Sequence, residues 1–230
     1  MTGLTPGALL LADSRLPAGG HVHSGGVEAA VVRGLLRDEA DLALFLAGRL
    51  RGAGGVIAAV AAAGCLLVAE PGADWARWDG AVSARTPSAA AREASRAQGA
   101  ALLRTARRVW SSAALDSLSA GGRLHHPLVL GAVVAAAGDG SGAAALLALH
   151  HLLGGTCSAA VRLLGLDPIN VAAVQARLSR PVEQAARDAV RVAGEAVARS
   201  DPRLLPSTGT PLPELLAELH ARTEVTLFAS

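Results

Sequence analysis

The 230-residue chain contains no lysine and no tyrosine, and it has only three tryptophans, two phenylalanines, two cysteines and one methionine. All 21 basic residues are therefore arginine. A Walker-type phosphate loop needs a lysine on the phosphates and Schiff-base catalysis needs a lysine amine, so neither chemistry is available. Cys65 and Cys157 lie far apart in apolar surroundings without C-x-x-C spacing. They are expected to be small buried hydrophobes in a reducing compartment, not a disulfide scaffold. Aromatics are 2% of the chain, and no alternating, aromatic-rich segment long enough for a sheet is present. The opening residues, M-T-G-L-T-P-G, lack the basic segment of a secretory leader.

What is abundant is alanine, leucine and valine, within a composition that is 51% hydrophobic. Such a mix favours closely packed helices, and a chain of this length buries roughly 70% of its unfolded surface. The expectation is an all-α, single-domain helical bundle of about eight to ten helices over residues 1–230. Two apolar runs, residues 52–69 and 140–161, approach the length of a membrane span. The first is mostly alanine and glycine, and neither has tryptophan or tyrosine at both ends, so both are expected to be buried helices of a bundle, with no membrane partner.

Helix signals recur along the chain. Thr5 before Pro6 reads as a cap with proline at the first helical position. Ser24 is expected to cap the next helix, with Val27, Val31 and Leu35 facing the core. Asp38 opens a third helix with Leu42, Leu46 and Leu50 on one side, and Gly54 and Gly55 are expected to separate it from a fourth. Asp74 starts a short helix that carries Trp75 and Trp78. Thr86 and Pro87 repeat the cap-plus-proline signal ahead of residues 88–110, the longest amphipathic stretch. Ser141 is expected to cap a long Leu/Ala segment in which Gly154 and Gly155 mark a kink or a helix-to-helix junction, and Pro181 to break or kink a later helix. Residues 200–213 hold four prolines and read as an extended connector, followed by a short helix and a tail at 223–230.

The stretch at residues 16–30, L-P-A-G-G-H-V-H-S-G-G-V-E-A-A, carries polar and flexible residues that a helical core does not need. His21, His23 and Ser24 suggest a nucleophile and base, but there is no G-x-S-x-G elbow and no preceding strand. G-D-G-S-G at 138–142 likewise lacks the strand and lysine of a phosphate loop and reads as a turn. Imidazoles suit nickel, zinc and copper, and the chain offers His21-x-His23, His125-His126 and His150-His151. None of these has the i, i+4 spacing that places two ligands on one helical face. His21 and His23 are the candidates for a metal contact, while His150 and His151 suit a core or interface role. Arg92, Arg96, Arg104, Arg107 and Arg108 fall on one half of the helical wheel of residues 88–110. With only Trp110 nearby and a net charge of +2, the stripe reads as a solvated or protein-facing side and not as a nucleic-acid surface.

Five motifs taken together resemble the urease accessory protein UreF family. They are L-L-L-A-D-S-R-L-P-A-G-G-H-V-H-S-G-G-V-E-A-A, R-E-A-S-R-A-Q-G-A-A-L-L, H-P-L-V-L-G, C-S-A-A-V-R-L-L-G-L and H-A-R-T-E-V-T-L-F-A-S, in the family's order. The resemblance implies a cytoplasmic, all-α, dimeric component of nickel insertion into urease, without catalysis or a resident cofactor of its own. Such a protein joins the accessory protein UreD (UreH), recruits the GTPase UreG, and acts on the urease apoprotein while nickel is in transit.

The implied partner-binding residues are Pro17, Gly19, Gly20, His21, His23, Ser24, Gly25 and Glu28 in the loop, and Arg92, Glu93, Ser95, Gln98 and Gly99 in the central helix. At the C-terminus they are His220, Leu227, Phe228 and Ser230. His21 replaces the family's usual aromatic, and Thr226 the usual arginine before Leu-Phe. The competing reading is an independent metal-binding protein using His21 and His23. Ser95 and Gly99, four residues apart, also allow two helix backbones to approach. Gly99→Leu is expected to lower stability by about 1–3 kcal/mol through overpacking, and unchanged thermal unfolding would place Gly99 against solvent or a partner.

Overall fold

The computed structural model describes residues 5–17, 25–120, 122–209 and 211–221. Among these residues the fold is all-α, with no strand. Its helices are α1 (Pro6–Ala12), α2 (Val27–Val32), α3 (Glu39–Arg49), α4 (Gly55–Leu67), α5 (Trp75–Ala84), α6 (Ala89–Val109), α7 (Ala113–Ala120), α8 (His126–Ala136), α9 (Ser141–Leu164), α10 (Pro168–Ala176), α11 (Ser179–Ala198) and α12 (Pro211–His220). Because α3 and α4 are joined through a π-helical turn at Leu50–Gly54, they form one continuous helical stretch, Glu39–Leu67. Among the described residues the helical segments outnumber the eight to ten expected, and α7 is one for which the sequence offered no start signal.

Side-chain caps set many of the starts. Thr5, Asp38, Asp74, Ser88 and Asp167 each accept a hydrogen bond from a main-chain N–H in the first turn of the helix that follows, relieving donors that have no intrahelical partner. Thr5 is itself anchored, because its N–H and hydroxyl both donate to the Asp139 carboxylate, at 3.0 and 2.5 Å. The G-D-G-S-G segment is thus a turn whose aspartate holds the start of α1.

The centre of the bundle is α4, buried along nearly its whole length and packed against α8, α9 and α11. α8 is equally enclosed, with Pro127 to Val134 all buried. Their crossing is so close that main chains touch. A Cβ on Gly131 would lie 2.0 Å from the Ala61 carbonyl oxygen, and one on Gly64 would lie 2.4 Å from that of Leu128. These reciprocal glycines remove the side-chain layer that normally separates two helices. α9 joins two apolar clusters. Its first half, around Ala144 and Leu149, belongs to the α4–α8–α11 core, and Leu153, Cys157 and Ala160 pack with Val27, Leu42, Leu46, Val171 and Leu216.

Two helical stretches, Glu39–Leu67 and Ser141–Leu164, are long and apolar enough to cross a membrane, but 67% and 56% of their most apolar windows are buried inside the bundle. Their composition is that of core helices.

Several local expectations change. α2 begins at Val27 after Gly26 in the left-handed region, so glycine and not a side chain opens it; Ser24 lies outside the described residues. α2 ends at Val32 and Gly34 turns the chain at φ +66°, which leaves Leu35 52% exposed and buries Leu36 in its place. Gly54 and Gly55 do not separate two helices, because the π-turn carries the helical stretch through them. The cap of α6 is Ser88, one residue after Pro87, and not Thr86. Gly140 and not Ser141 is the N-cap of α9, which runs through Gly154 and Gly155 without a break. The break assigned to Pro181 falls earlier, between α10 and α11, since a proline in the first turn of α11 has no intrahelical hydrogen bond to lose. The connector is shorter than residues 200–213: it contains a 3-10 turn at Pro202–Leu204, and α12 starts at Pro211.

The main-chain contact at Gly131 gives a direct test. Gly131→Ala is expected to destabilise the protein by about 1–3 kcal/mol, read as a lower midpoint in urea with an unchanged slope.

Candidate functional site

Among the described residues, α12 packs against both α2 and α6. α12 supplies the link. Its Glu214 accepts from the Ser88 N–H at 2.9 Å, and Glu218 accepts from the Ser88 hydroxyl at 2.7 Å and the Ala90 N–H at 3.0 Å. Two carboxylates one helical turn apart thus sit on the positive end of α6. On its other side, α12 places His220 Nε2 3.6 Å from Glu28 Oε2 of α2, with both side chains buried. Arg85 fastens the connector leading to α12, donating to the carbonyls of Pro202, Arg203, Leu205 and Pro206 as well as to Ala81 of its own helix.

Along α6 the candidate residues have different jobs. Gly99 is buried, and an added Cβ would meet the Leu124 carbonyl oxygen at 2.2 Å. Four residues earlier, the Ser95 hydroxyl accepts from the His126 N–H at 3.2 Å. The pair therefore seats the start of α8 against α6. Gln98 faces a cavity, and the exposed Glu93 pairs with Arg123 at 2.7 Å. Arg92 turns back onto the carbonyls of Thr86 and Pro87, both at 2.7 Å, and Arg107 meets Asp116 at 2.8 Å. The arginine stripe is thus divided among local tasks.

Arg96 belongs to a network that the sequence pattern did not disclose. It donates to Asp79 Oδ2 at 2.6 Å and to the Ser83 hydroxyl at 2.9 Å. Asp79 Oδ1 accepts from the His125 N–H at 2.7 Å. The Ser83 hydroxyl donates to the Asp79 carbonyl at 3.0 Å and lies 3.0 Å from His125 Nε2. With the serine proton committed to the carbonyl, Nε2 carries the imidazole proton and donates to Ser83 Oγ. Nδ1 is then an unprotonated nitrogen with no partner. Burial pushes His125 down to about 4, against the pull of Asp79 and with help from Arg96 and Arg92. The one hint in the sequence was the His125-His126-Pro127 run, which looked like a possible ligand pair.

A cavity of about 730 Å³ lies beside this junction, bounded by the end of α1, Gly25 and Gly26, Arg49, the Ser95–Gln98 side of α6, the start of α8 and the middle of α9. Gly25 and Gly26 both have positive φ, +60° and +89°, as the glycine-rich stretch requires. The Gly25 carbonyl accepts from Arg49 Nη1. Pro17, at the other end of the loop, accepts at its carbonyl from the Thr105 hydroxyl at 2.7 Å. Gly19, Gly20, His21, His23 and Ser24, and at the C-terminus Thr226, Leu227, Phe228 and Ser230, lie outside the described residues.

His126 and His151 have ring centroids 6.0 Å apart, and His150 and His151 5.9 Å apart. His151 Nε2 lies 2.9 Å from the Leu11 carbonyl oxygen, so it carries the proton and donates, and burial lowers its pKa. His150 is exposed. Among the described residues no group of three or more His, Cys, Asp or Glu is arranged to hold a metal ion. The buried thiols of Cys65 and Cys157 are pushed up to about 11 by loss of solvent, which keeps them protonated and inert.

The profile of the UreF family matches residues 36–179, more than half of the chain. The chain belongs to the UreF family. Among its relatives are the urease accessory proteins UreF of Mycolicibacterium vanbaalenii, 44% identical over 225 residues covering 96% of this chain and 97% of that protein, and of Mycobacterium sp. strain JLS, 44% identical over 233 residues covering all of both. That of Mycobacterium marinum is 42% identical over 222 residues, covering 96% and 97%. UreF proteins are accessory proteins, and this chain is accordingly one of them and not an enzyme. The UreF profile includes all of α6, with its seating residues Ser95 and Gly99.

The buried network predicts a pH dependence. His125 in the folded protein protonates near 4, below the 6.5 of a free imidazole, so the unfolded chain binds the extra proton across that interval. Stability is then full above about 6.5 and drains as pH falls towards 4. In His125→Gln the fall across the same interval is expected to be shallower, measured by urea unfolding at a series of pH values. An identical slope in both proteins would remove His125 as the cause.

Proposed function

We propose that the chain is a cytoplasmic, homodimeric component of urease maturation that binds UreD (UreH) and the GTPase UreG and couples the GTPase cycle to nickel delivery into the urease apoprotein. The observation that carries this reading is the similarity to urease accessory proteins UreF across the whole length of the chain, at 44% identity. A lysine-free sequence has no Walker lysine, so nucleotide hydrolysis falls to a partner. Nickel is cargo in this scheme, passed between proteins and not held as a cofactor.

The partner surface is assigned to the glycine-rich stretch at residues 16–30, the part of α6 from Arg92 to Gly99, and the tail at 223–230. Convergence of α2, α6 and α12 supports this grouping, because Glu28, Ser88 and His220 tie the bases of all three segments together. Gly19, Gly20, His21, His23, Ser24, Leu227, Phe228 and Ser230 are the contacts proposed within the loop and tail.

Co-expression with the UreD and UreG homologues of the same organism, followed by affinity capture, tests the proposal. A complex with UreD, enlarged when UreG is added, is expected, and failure to capture either protein overturns it. Equilibrium dialysis of the isolated chain against Ni²⁺ separates the alternative. Tight stoichiometric binding that disappears in His21→Ala/His23→Ala would make the chain an independent metal-binding protein.

A further inference from the structure

The corner between α5 and α6 grips the C-terminal segment at two places. At the first, Arg85 Nε donates to the Pro206 carbonyl at 2.8 Å, and Nη2 donates to those of Pro202, Arg203 and Leu205 at 3.1, 3.1 and 2.8 Å. At the second, the Ser88 N–H donates to Glu214 at 2.9 Å, while the Ser88 hydroxyl and the Ala90 N–H donate to Glu218 at 2.7 and 3.0 Å. The corner is itself stiffened, because Arg92 donates to the Thr86 and Pro87 carbonyls. One short stretch of chain thus sets both the course of the connector and the seat of α12.

Apolar packing does less to fix that seat. Leu212, Leu215 and Leu219 are 46, 61 and 40% exposed, and α12 buries Leu216, Ala217 and His220. Contact between so few apolar groups is non-directional and tolerates rotation and sliding of the helix. Hydrogen bonds from the N-terminus of α6 to two carboxylates, and from a planar guanidinium fork to carbonyls, do not. The tail at 223–230 follows α12 closely in the chain. Sliding α12 by one turn, about 5.4 Å, moves the point from which the tail departs by the same distance.

We propose that Arg85 and Ser88 are positioning residues for the partner contact of the C-terminal tail, acting through the connector and α12 without touching the partner. This rests on the reading that the tail binds UreD (UreH). In a chain with a loosened corner, part of the binding free energy goes into re-seating α12. The apparent affinity then falls by the fraction of molecules in which α12 is already seated.

The test uses full-length chains, each co-expressed separately with the tagged UreD homologue of the same organism. The captured complex is diluted in steps to find the concentration at which half has dissociated, and hydrogen exchange is followed in the free chain. Arg85→Lys keeps the charge but not the fork, and Glu218→Ala removes the acceptor for Ser88 without altering the corner. For both, α12 amides are expected to exchange about tenfold faster or more, with α4 and α8 unchanged. Half-dissociation is expected at a concentration about tenfold above that of wild type. Gly131→Ala, whose injury lies in the α4–α8 crossing, controls for general loss of stability and is expected to bind as wild type does. Wild-type affinity in Arg85→Lys or Glu218→Ala, unchanged exchange in α12, or an equal loss of affinity in Gly131→Ala overturns the proposal. Should Arg85→Lys disturb α4 as well, Glu218→Ala decides by the same two readouts. Failure of the wild-type chain to capture UreD overturns the partner-binding reading and this proposal with it, whereas wild-type capture with undiminished capture by the variants overturns this proposal alone.

Discussion

The fold depends on main chains being allowed to touch. α8 is approached from one side by α4, through Gly64 and Gly131, and from another by α6, through Gly99. At each place a single methyl group would fall inside the distance at which atoms repel. Close approach compensates for what the composition lacks. A core built from alanine, leucine and valine with few aromatics cannot fill wide gaps between helices, so it reaches interior packing density by bringing the backbones together. Once α4, α6 and α8 are seated in this way, the Ser95 hydroxyl meets the His126 N–H and Asp79 meets that of His125, which satisfies the first orphan donors of α8.

Around that centre the outer elements are fastened by charge and hydrogen bonding. α12 contributes Leu216 and Ala217 to the interior, but its position is fixed by Glu214 and Glu218 on the α6 N-terminus and by His220 beside Glu28. These polar contacts are directional, so they define where α12 sits more sharply than its modest apolar face does. The N-terminal loop, the central helix and the C-terminal tail therefore start from one structural junction although they are far apart in the chain. For a protein whose proposed work is to hold partners together, one junction shared by three segments is an economical arrangement.

Much of this was legible in the sequence. Helix class followed from composition, and the caps at Thr5, Asp38 and Asp74 were readable because a short polar side chain before an apolar run can relieve the free N–H groups of the first turn. Gly99 and Ser95 were correctly marked as a close-packing pair from their spacing alone. What was not legible is tertiary. Nothing near Asp79 signals that it will meet His125 and Arg96, and Arg49 reads as an ordinary basic residue in the last turn of a helix. The glycine pairs misled for the same reason. Gly54-Gly55 and Gly154-Gly155 looked like breaks, but neighbouring helices hold those stretches helical, and a glycine's preference for coil is small beside that packing.

Arg85 has a wider meaning for the C-terminal part of the molecule. Its guanidinium holds the connector entirely by carbonyl oxygens, an atom type that every residue possesses. The clasp therefore recognises the course of the chain and is indifferent to the side chains along it. Substitutions at Arg203, Leu204 and Pro206 that preserve the backbone path leave the tether intact, whereas Leu205 is also held by burial of its side chain in the core.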